Sequence, residues 1–230
     1  MVIKELEDFD WFPPLLRRWQ SEYIGYLSAL LHLYPTSEQI IIKESCIHDL
    51  CSGSGNLAQD FAKSHNKDII KSDKFPTGLN VVHQDIFDLK PDPKYCYSII
   101  NAFHHFTSEE QKQIINRFVD NKAAFIIVEL LTPDVWTFLK VLIASVALQP
   151  LLSLFIKPFS LFRIITSTIL PINIFTVLWD GCISVLKSNT IPQYSQRLNL
   201  DREQYDDIRI TKIRTKYKLP ITVITNCNYA

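Results

Sequence analysis

The sequence predicts an α/β fold in which helices cover a mostly parallel sheet. Short apolar runs alternate with helix-like segments from residue 45 to residue 130, which is typical of parallel strands joined by crossover helices. Two of only five glycines lie between the first of these runs and the next helix, in Ser52-Gly53-Ser54-Gly55. The chain then closes with two strand-like runs around Leu219-Pro220, which predict an antiparallel hairpin added to the sheet.

Composition and charge narrow the class of protein. The 230 residues are 47% hydrophobic and 21% charged, which is globular and sufficient for a single large core. Lys plus Arg and Asp plus Glu number 24 each, so net charge provides no attraction to nucleic acid or anionic membrane. The acidic start lacks an apolar stretch, so we expect no secretory signal. The five cysteines form no CxxC pair, so we expect neither disulfides nor a metal site, and a cytoplasmic protein.

The spacing of apolar residues predicts each element in turn. Pro13 and Pro14 suit the start of an amphipathic helix that runs to about Tyr34. Helices are also predicted at 56–64 and at 108–121, the second with Ser108 as its N-cap. The predicted strands are 45–50, 68–73, 80–85, 97–101, 124–130, 209–218 and 221–229.

One domain with four parts accounts for this order. We assign an N-terminal helical cap to 1–38, a core to 39–132, an apolar helical insertion to 133–190, and a last helix with the hairpin to 191–230. An insertion that follows the fifth strand is expected over the ligand side of the sheet.

The apolar insertion has three open interpretations. Its charge-free runs, 141–156 and 164–179, have 16 residues each, which is short of the roughly 20 that a membrane-spanning helix needs. It is a packed cap, the lining of a pocket for an apolar substrate, or a segment that enters a membrane interface. Because an interfacial helix normally has a charged face, we expect full burial, with homodimer contact or peripheral membrane contact as alternatives.

The first hairpin strand carries a basic stripe. Its members alternate along one face and are Lys212, Arg214, Lys216 and Lys218. We interpret them as the charged, solvated edge of the sheet; a phosphate-binding or membrane-surface stripe is the alternative.

Polar residues recur where the predicted strands end, which is where open α/β sheets bind ligands. Asp49 opens the glycine loop, and the helix after this loop offers free N–H groups. Asp73 ends the second strand, 18 residues after Gly55, a spacing suited to a carboxylate that holds ribose hydroxyls. Asp85 ends the third strand, and Glu129 ends the fifth.

This series resembles the class I S-adenosylmethionine-dependent methyltransferases, whose loop has the form D/E-x-G-x-G-x-G. The match departs at Cys51, which stands where the first glycine usually is. The resemblance covers residues 40–130 and the tail, and implies a Rossmann-like sandwich of seven strands with S-adenosylmethionine as cofactor. The cofactor-binding residues it implies are Asp49, Cys51, Ser52, Gly53, Gly55, Asn56, Asp73, Lys74, Asp85, Ile86, Asn101, Ala102 and Phe103.

A second resemblance spans nearly the whole chain. The segments DWFPPLLRRWQSEYI, SDKFPT, FHHF and ILPINIFTVLWDGCISVL are similar to a group of bacterial methyltransferase-domain proteins. That group has a WFP helix at the N-terminus and an apolar insertion that ends in Trp-Asp-Gly. This likeness implies architecture more than chemistry.

Three side chains are candidates for catalysis. His104 and His105 follow the fourth strand, where a neutral imidazole could accept a proton from a hydroxyl or amine; alternatively they cap a helix. Asp180 is the only acid between Asp134 and Asp201, and acts as a base, orients a cationic substrate, or simply caps a turn.

We therefore expect transfer of a methyl group to an O or N atom of a small apolar molecule. The alternatives are a non-catalytic cofactor-binding or membrane-associated module and an NAD-dependent enzyme. RNA is disfavoured as a substrate because no Asn-Pro-Pro-Tyr-type motif is present.

Overall fold

A seven-stranded sheet lies at the centre of the computed structural model, which describes residues 4–78, 80–198, 205 and 207–230. In chain order the strands are β1 (Ile40–Ile41), β2 (Cys46–Leu50), β3 (Asp68–Asp73), β4 (Val82–His83), β5 (Tyr95–Ile100), β6 (Ala124–Glu129), β7 (Arg209–Arg214), β8 (Pro220–Thr225) and β9 (Asn228–Tyr229). Seven of these strands form the central sheet, and β1 and β9 form a separate two-stranded sheet. The order across the large sheet is β4-β3-β2-β5-β6-β8-β7. Strands β2 to β6 run parallel, and β8 is antiparallel to both β6 and β7. The predicted α/β fold with a mostly parallel sheet and an antiparallel hairpin is confirmed.

Helices cover both faces of this sheet. They are α1 (Pro14–Leu30), α2 (Asn56–Ser64), α3 (Ser108–Asp120), α4 (Val135–Ile143), α5 (Gln149–Leu152), α6 (Leu161–Thr168), α7 (Ile172–Lys187) and α8 (Ile191–Leu198). Short 3-10 turns occur at Leu6–Asp8 and Phe103–His105, and a π-helical turn, Ala144–Leu148, joins α4 to α5.

The two faces of β5 belong to two separate apolar cores, because successive strand residues point to opposite sides. Tyr97 and Ile99 pack in the core beneath α3 and α8, whereas Cys96 and Ile100 pack in the core beneath α2. Strand β6 is buried on both faces in the same way. Such a doubly covered centre is what a parallel sheet requires, and it leaves the strand ends free for a site.

Some predicted boundaries need correction. Helix α1 ends at Leu30 instead of Tyr34, and His32 just beyond it has a left-handed φ of 47°. The third predicted strand shrinks to Val82–His83. The last one is interrupted because the side chain of Asn226 bonds to the backbone of Ala123 and Phe125. The final residues of the chain then pair with β1 in a small separate sheet.

The expectation that the apolar insertion is fully buried is wrong. Residues Val135–Leu152 form one helical stretch of 18 residues with mean hydropathy 1.7, of which 17% is buried. By length and composition alone this stretch could cross a membrane, and α6 and α7 pass the same test as a pair bent by 69°. The charge-free run 141–156 is a poor guide to the start of this helix. The helix begins six residues earlier, at Val135, and includes Lys140.

The basic stripe of the hairpin agrees with an edge strand. Strand β7 lies at the end of the sheet order and carries Lys212 and Arg214, whereas Lys216 and Lys218 lie in the turn beyond it, so the predicted strand 209–218 is too long. All four side chains are exposed. Charged side chains at an edge oppose pairing with other chains.

One buried ion pair fastens the insertion to α1. The guanidinium of Arg163 donates to Glu22 Oε2 at 2.8 Å, and to the carbonyl oxygens of Ile156 and Pro158 at 2.6 and 3.0 Å. Arg163 is 2% exposed, and Glu22 is 5% exposed. A second contact is the hydroxyl of Tyr23, which donates to the carbonyl of Ala144 at 2.6 Å.

We expect His48 to make the folded state sensitive to mild acid. Burial lowers the pKa of His48 to about 4, whereas in the unfolded chain it is about 6.5. Between these values the unfolded state binds one more proton, so the free energy of unfolding falls as the pH falls through this window. A His48→Gln variant keeps a side chain able to bond Ser72, which lies 3.0 Å from the imidazole. It should lose about 2 kcal/mol less stability between pH 7 and pH 4.5 than the native protein, measured by urea unfolding. Parallel losses in the two proteins would contradict this assignment.

Candidate active site

A cavity of about 1040 Å³ lies at the carboxyl ends of the parallel strands. Its walls come from the loop after β2, the turns after β3 and β5, the N-terminal segment, and the inner side of the insertion. Its position is the one expected for ligands of an open α/β sheet.

The loop after β2 owes its shape to three left-handed residues. Cys51, Gly53 and Gly55 have φ of 57°, 54° and 73°. This alternation explains why glycine would be favoured at all three positions, and it shows that Cys51 adopts the conformation that a glycine there would have. The departure from the family pattern therefore leaves the turn intact.

The side chain of Asp49 stabilises this loop through hydrogen bonds. Its carboxylate accepts hydrogen bonds from the hydroxyls of Ser52 and Ser98. Burial raises the pKa of Asp49 to about 7, although both hydroxyl bonds favour the ionised form. A cationic group bound next to Asp49 would replace part of the lost solvation and favour the carboxylate.

Asp73 and Asp85 organise the next two turns. Asp73 accepts from the N–H of Gly53 at 2.7 Å and from the N–H of Phe75 at 2.6 Å, so it links the ends of β2 and β3. Asp85 accepts from the N–H of Phe87 at 3.0 Å, and the ammonium of Lys74 lies 3.4 Å from it. Each carboxylate still has unused acceptor capacity toward the cavity.

Most of the sequence-predicted site residues line this one cavity. They are Asp49, Cys51, Ser52, Gly53, Asp73, Lys74, Asp85, Ile86, Asn101, Ala102, His104, His105 and Asp180. Gly55, Asn56 and Phe103 do not. Asn56 is exposed at the start of α2, and Phe103 is fully buried in the core beneath α3, with its N–H bonded to Glu129 at 2.8 Å.

Glycine positions around the loop were only partly recognised from sequence. A Cβ on Gly78 would overlap the backbone of Ser54, and a Cβ on Gly25 would lie 3.0 Å from the Ser54 hydroxyl. Both glycines permit close approach to the loop from distant parts of the chain. Only the contact itself reveals this, because neither lies in a motif.

His104 and Glu129 form a buried hydrogen-bonded pair. His104 Nδ1 lies 2.7 Å from Glu129 Oε2, and both side chains are 1% exposed. A carboxylate can only accept, so Nδ1 carries the proton and Nε2 is left as the basic nitrogen. That Nε2 atom is buried and has no hydrogen-bond partner among the described residues.

His105 has a different environment. Its Nδ1 lies 2.9 Å from Asp8, and its Nε2 lies 3.4 Å from Glu5 and 3.5 Å from Glu7. Burial alone would lower the pKa of His105, but these carboxylates outweigh it and raise the pKa to about 10. His105 is thus protonated near neutral pH and unsuited to accept a proton.

Asp180 fastens the N-terminal segment. Its carboxylate accepts from the N–H of Leu6 at 2.6 Å, the N–H of Glu7 at 3.2 Å and the amide of Gln20 at 2.6 Å. Burial raises the pKa of Asp180 to about 6. With three donors already bound, Asp180 positions the segment that closes the cavity.

The N-terminal acids were missed by sequence analysis. Glu5 is 1% exposed and bonds to Ser184 and to Lys187 of α7, at 2.9 and 3.1 Å. Nothing in the sequence distinguishes this acid from its solvated neighbours, because its partners lie about 180 residues away.

The same cluster contains possible metal ligands. Atoms of Glu5, His104 and His105 lie within 4.8 Å of one another, and His with Glu is a common donor set for divalent metals. However, the ammonium of Lys187 already neutralises Glu5, and His105 is protonated. A metal ion would have to displace both cations, so the cluster is better described as a charged hydrogen-bonded network.

Solved structures of methyltransferases are similar to this chain. The plantazolicin methyltransferase BpumL in complex with SAH has a TM-score of 0.50 and 12% identity, covering 92% of this chain and 84% of that one. Human N-acetylserotonin methyltransferase in complex with SAM has a TM-score of 0.47 and 12% identity, covering 91% and 55%. The mitomycin 7-O-methyltransferase MmcR has a TM-score of 0.45 and 10% identity, covering 91% and 53%.

Neither a family model nor a curated protein sequence matches the chain. The likeness to BpumL, together with the strand order, identifies the architecture. The chain has the class I methyltransferase fold, a Rossmann-like sandwich with a seven-stranded sheet.

Proposed function

We propose that this protein is an S-adenosylmethionine-dependent methyltransferase that acts on an O or N atom of a small apolar molecule. One observation carries the proposal. The left-handed loop, Asp73 and Asp85 surround a single cavity at the carboxyl ends of β2, β3 and β4, in a class I methyltransferase fold.

The residues of the cavity fit the cofactor. Asp73 is placed to accept from ribose hydroxyls, and Asp85 with Ile86 to contact the adenine. Asp49 and the loop at Ser52-Gly53 face the amino-acid end, where a bound ammonium would offset the burial of Asp49. The buried Oδ1 of Asn101, which lacks a partner among the described residues, supplies one more acceptor. When bound, S-adenosylmethionine supplies an electrophilic methyl carbon.

His104 is the best candidate for a general base. Glu129 Oε2 lies 2.7 Å from Nδ1 and orients the ring, as in other carboxylate–histidine pairs that remove a proton. The Nε2 atom has no hydrogen-bond partner among the described residues and lies 4.0 Å from Glu5 Oε1. His105 is already protonated, and Asp180 already accepts three hydrogen bonds that hold the N-terminal segment and Gln20, so neither suits this role. The chain otherwise contributes alignment and exclusion of water.

The apolar character of the acceptor follows from the far wall of the cavity. The insertion contributes the apolar side chains of Val141, Ile143, Leu148 and Val177 to that wall, beside polar ones that include Thr137, Lys140 and Ser145. Apolar walls with few polar groups favour apolar ligands. An O or N acceptor is proposed because His104, whose Nε2 has no hydrogen-bond partner among the described residues, lines the same cavity.

Calorimetric titration tests the cofactor. S-adenosylmethionine and S-adenosylhomocysteine are each titrated into the full chain, with NAD in parallel. We expect both adenosyl ligands to bind and NAD to remain silent. Binding of NAD alone, or silence with both adenosyl ligands, would overturn the proposal. Binding of the cofactor with no methyl transfer to any member of an apolar acceptor panel would favour a non-catalytic module.

Gly78→Ala should weaken cofactor binding strongly. The added Cβ overlaps the backbone of Ser54, which cannot move without displacing the loop. We expect a loss of affinity for S-adenosylhomocysteine of about tenfold or more, which is about 1.4 kcal/mol, by calorimetry. Ser37→Ala is the control, because Ser37 is exposed and lies outside the cavity lining. Equal affinities in both variants would contradict the role of this close approach.

A further inference from the structure

The helical insertion exposes an unusual amount of apolar surface. Of the 24 exposed large hydrophobic side chains in the described residues, 18 lie between Val135 and Leu186. We call this the cap surface; Trp136, Phe159 and Ile169 are 73%, 69% and 74% exposed on it. Contiguous apolar surface on a soluble protein marks an interaction site.

Polar side chains of the same helices point inward. Four of these polar side chains are each 5% exposed or less: Thr137, Gln149, Asn173 and Asp180. Most of the groups that they hydrogen-bond to belong to the protein itself. This pattern reverses the usual arrangement of a water-soluble helix. It is the arrangement found where polar groups face a protein interior and apolar groups face lipid.

The few outward charges are all positive. Residues 135–187 contain five charged side chains, of which Arg163, Asp180 and Lys187 are turned to the protein. The two exposed ones are Lys157 and Lys140, and Lys140 also lines the cavity. Lysines beside an apolar surface complement the anionic headgroups of a bilayer.

We propose that the cap surface docks the protein on a lipid bilayer that contains anionic lipids, with its apolar side chains in the interface and Lys157 among the headgroups. A second copy of the chain is a poorer occupant. Protein interfaces combine apolar contact with about one hydrogen bond per 100–200 Å², whereas the polar groups of these helices are turned away from the surface.

The cap surface and the cavity share helices. Ile143 is 49% exposed and also lines the cavity, so only the thickness of α4 separates the two. If the proposed function holds, docking would bring acceptor molecules dissolved in the bilayer next to the cavity. This consequence rests on the proposed function. The docking itself does not depend on methyl transfer.

Flotation with vesicles tests the proposal on the full chain. We compare phosphatidylcholine vesicles with vesicles that contain 30% phosphatidylglycerol. We expect the native protein to float with both and more strongly with the anionic ones. Replacing Trp136, Phe159 and Phe175 together by Gln should lower the partition coefficient roughly 100-fold or more, because three large apolar contacts are lost. All three side chains are more than half exposed, so the fold should persist, as judged by an unchanged circular dichroism spectrum and an unchanged urea-unfolding midpoint.

Two control variants make the outcome decisive. Trp11→Gln with Val82→Gln removes exposed apolar side chains outside the cap surface and should leave flotation unchanged. Lys157→Gln should weaken the preference for anionic vesicles while leaving the binding to phosphatidylcholine, because Lys157 is exposed and lies outside the cavity lining. The proposal is overturned if the native protein stays with the soluble fraction, or if the triple variant floats like the native protein. A concentration-dependent dimer that disappears in the triple variant, without flotation, would assign the surface to a second copy instead.

Discussion

Asp73→Asn should reduce affinity for S-adenosylmethionine about 100-fold or more. Two hydrogen bonds from ribose hydroxyls to a carboxylate each contribute about 1.5–3 kcal/mol. The amide offers a single acceptor oxygen, so the N–H of Gly53 or of Phe75 would also lose its partner. Both effects weaken the same subsite, and calorimetric titration measures their sum.

Asp68→Asn provides the matched control for this prediction. Asp68 begins β3, the strand that Asp73 ends, and its side chain is exposed away from the cavity. The Asp68→Asn variant loses the same charge from the same strand. We expect it to bind the cofactor as the native protein does. An affinity of Asp73→Asn within threefold of this control would remove Asp73 from the proposed site.

Arg163→Met should be the most destabilising single change in the insertion. It leaves the carboxylate of Glu22 buried, with only the partly exposed Arg18 as a partner at 2.8 Å. Breaking a buried ion pair from one side costs about 3–5 kcal/mol. The carbonyl oxygens of Ile156 and Pro158 lose their donor as well. Urea unfolding at pH 7 measures the loss.

Two further variants separate charge from packing. Arg163→Met with Glu22→Met removes the stranded carboxylate and should recover part of the stability. Arg18→Met removes a 43% exposed cation and should cost less than about 1 kcal/mol. If Arg163→Met and Arg18→Met were equally stable, the buried pair would not be what holds the insertion on α1.

The fold and the cofactor side of the site were predictable because their signals are local. Apolar runs, one glycine loop and acids at strand ends recur at short spacing, and the resemblance to class I methyltransferases rests on them. The positive φ of Cys51 explains how the one departure is accommodated.

The acceptor side was not predictable because it depends on long-range contacts. Glu5 meets Lys187, and Leu6 meets Asp180, only in the folded chain. Asp180, a candidate for catalysis by its isolation in sequence, holds the backbone of the N-terminal segment. The insertion was misjudged for a related reason. A charge-free run is equally consistent with burial inside the protein and with contact to lipid. The direction in which the polar side chains of the insertion point distinguishes these two interpretations, and it is seen only in the folded chain.

The fastening of the N-terminal segment by α7 also has a consequence for biosynthesis. Hydrogen bonds join Leu6 to Asp180, 174 positions apart, and Glu5 to Ser184, 179 positions apart. Contacts of such separation form late, since the intervening chain must first be ordered. During synthesis, strands β2 to β6 leave the ribosome before α7 does. The residues of the N-terminal segment therefore have no hydrogen-bond partners in α7 until the insertion has been synthesised. The nascent protein thus acquires the strands of its central sheet up to β6 before the segments that line the other side of the cavity.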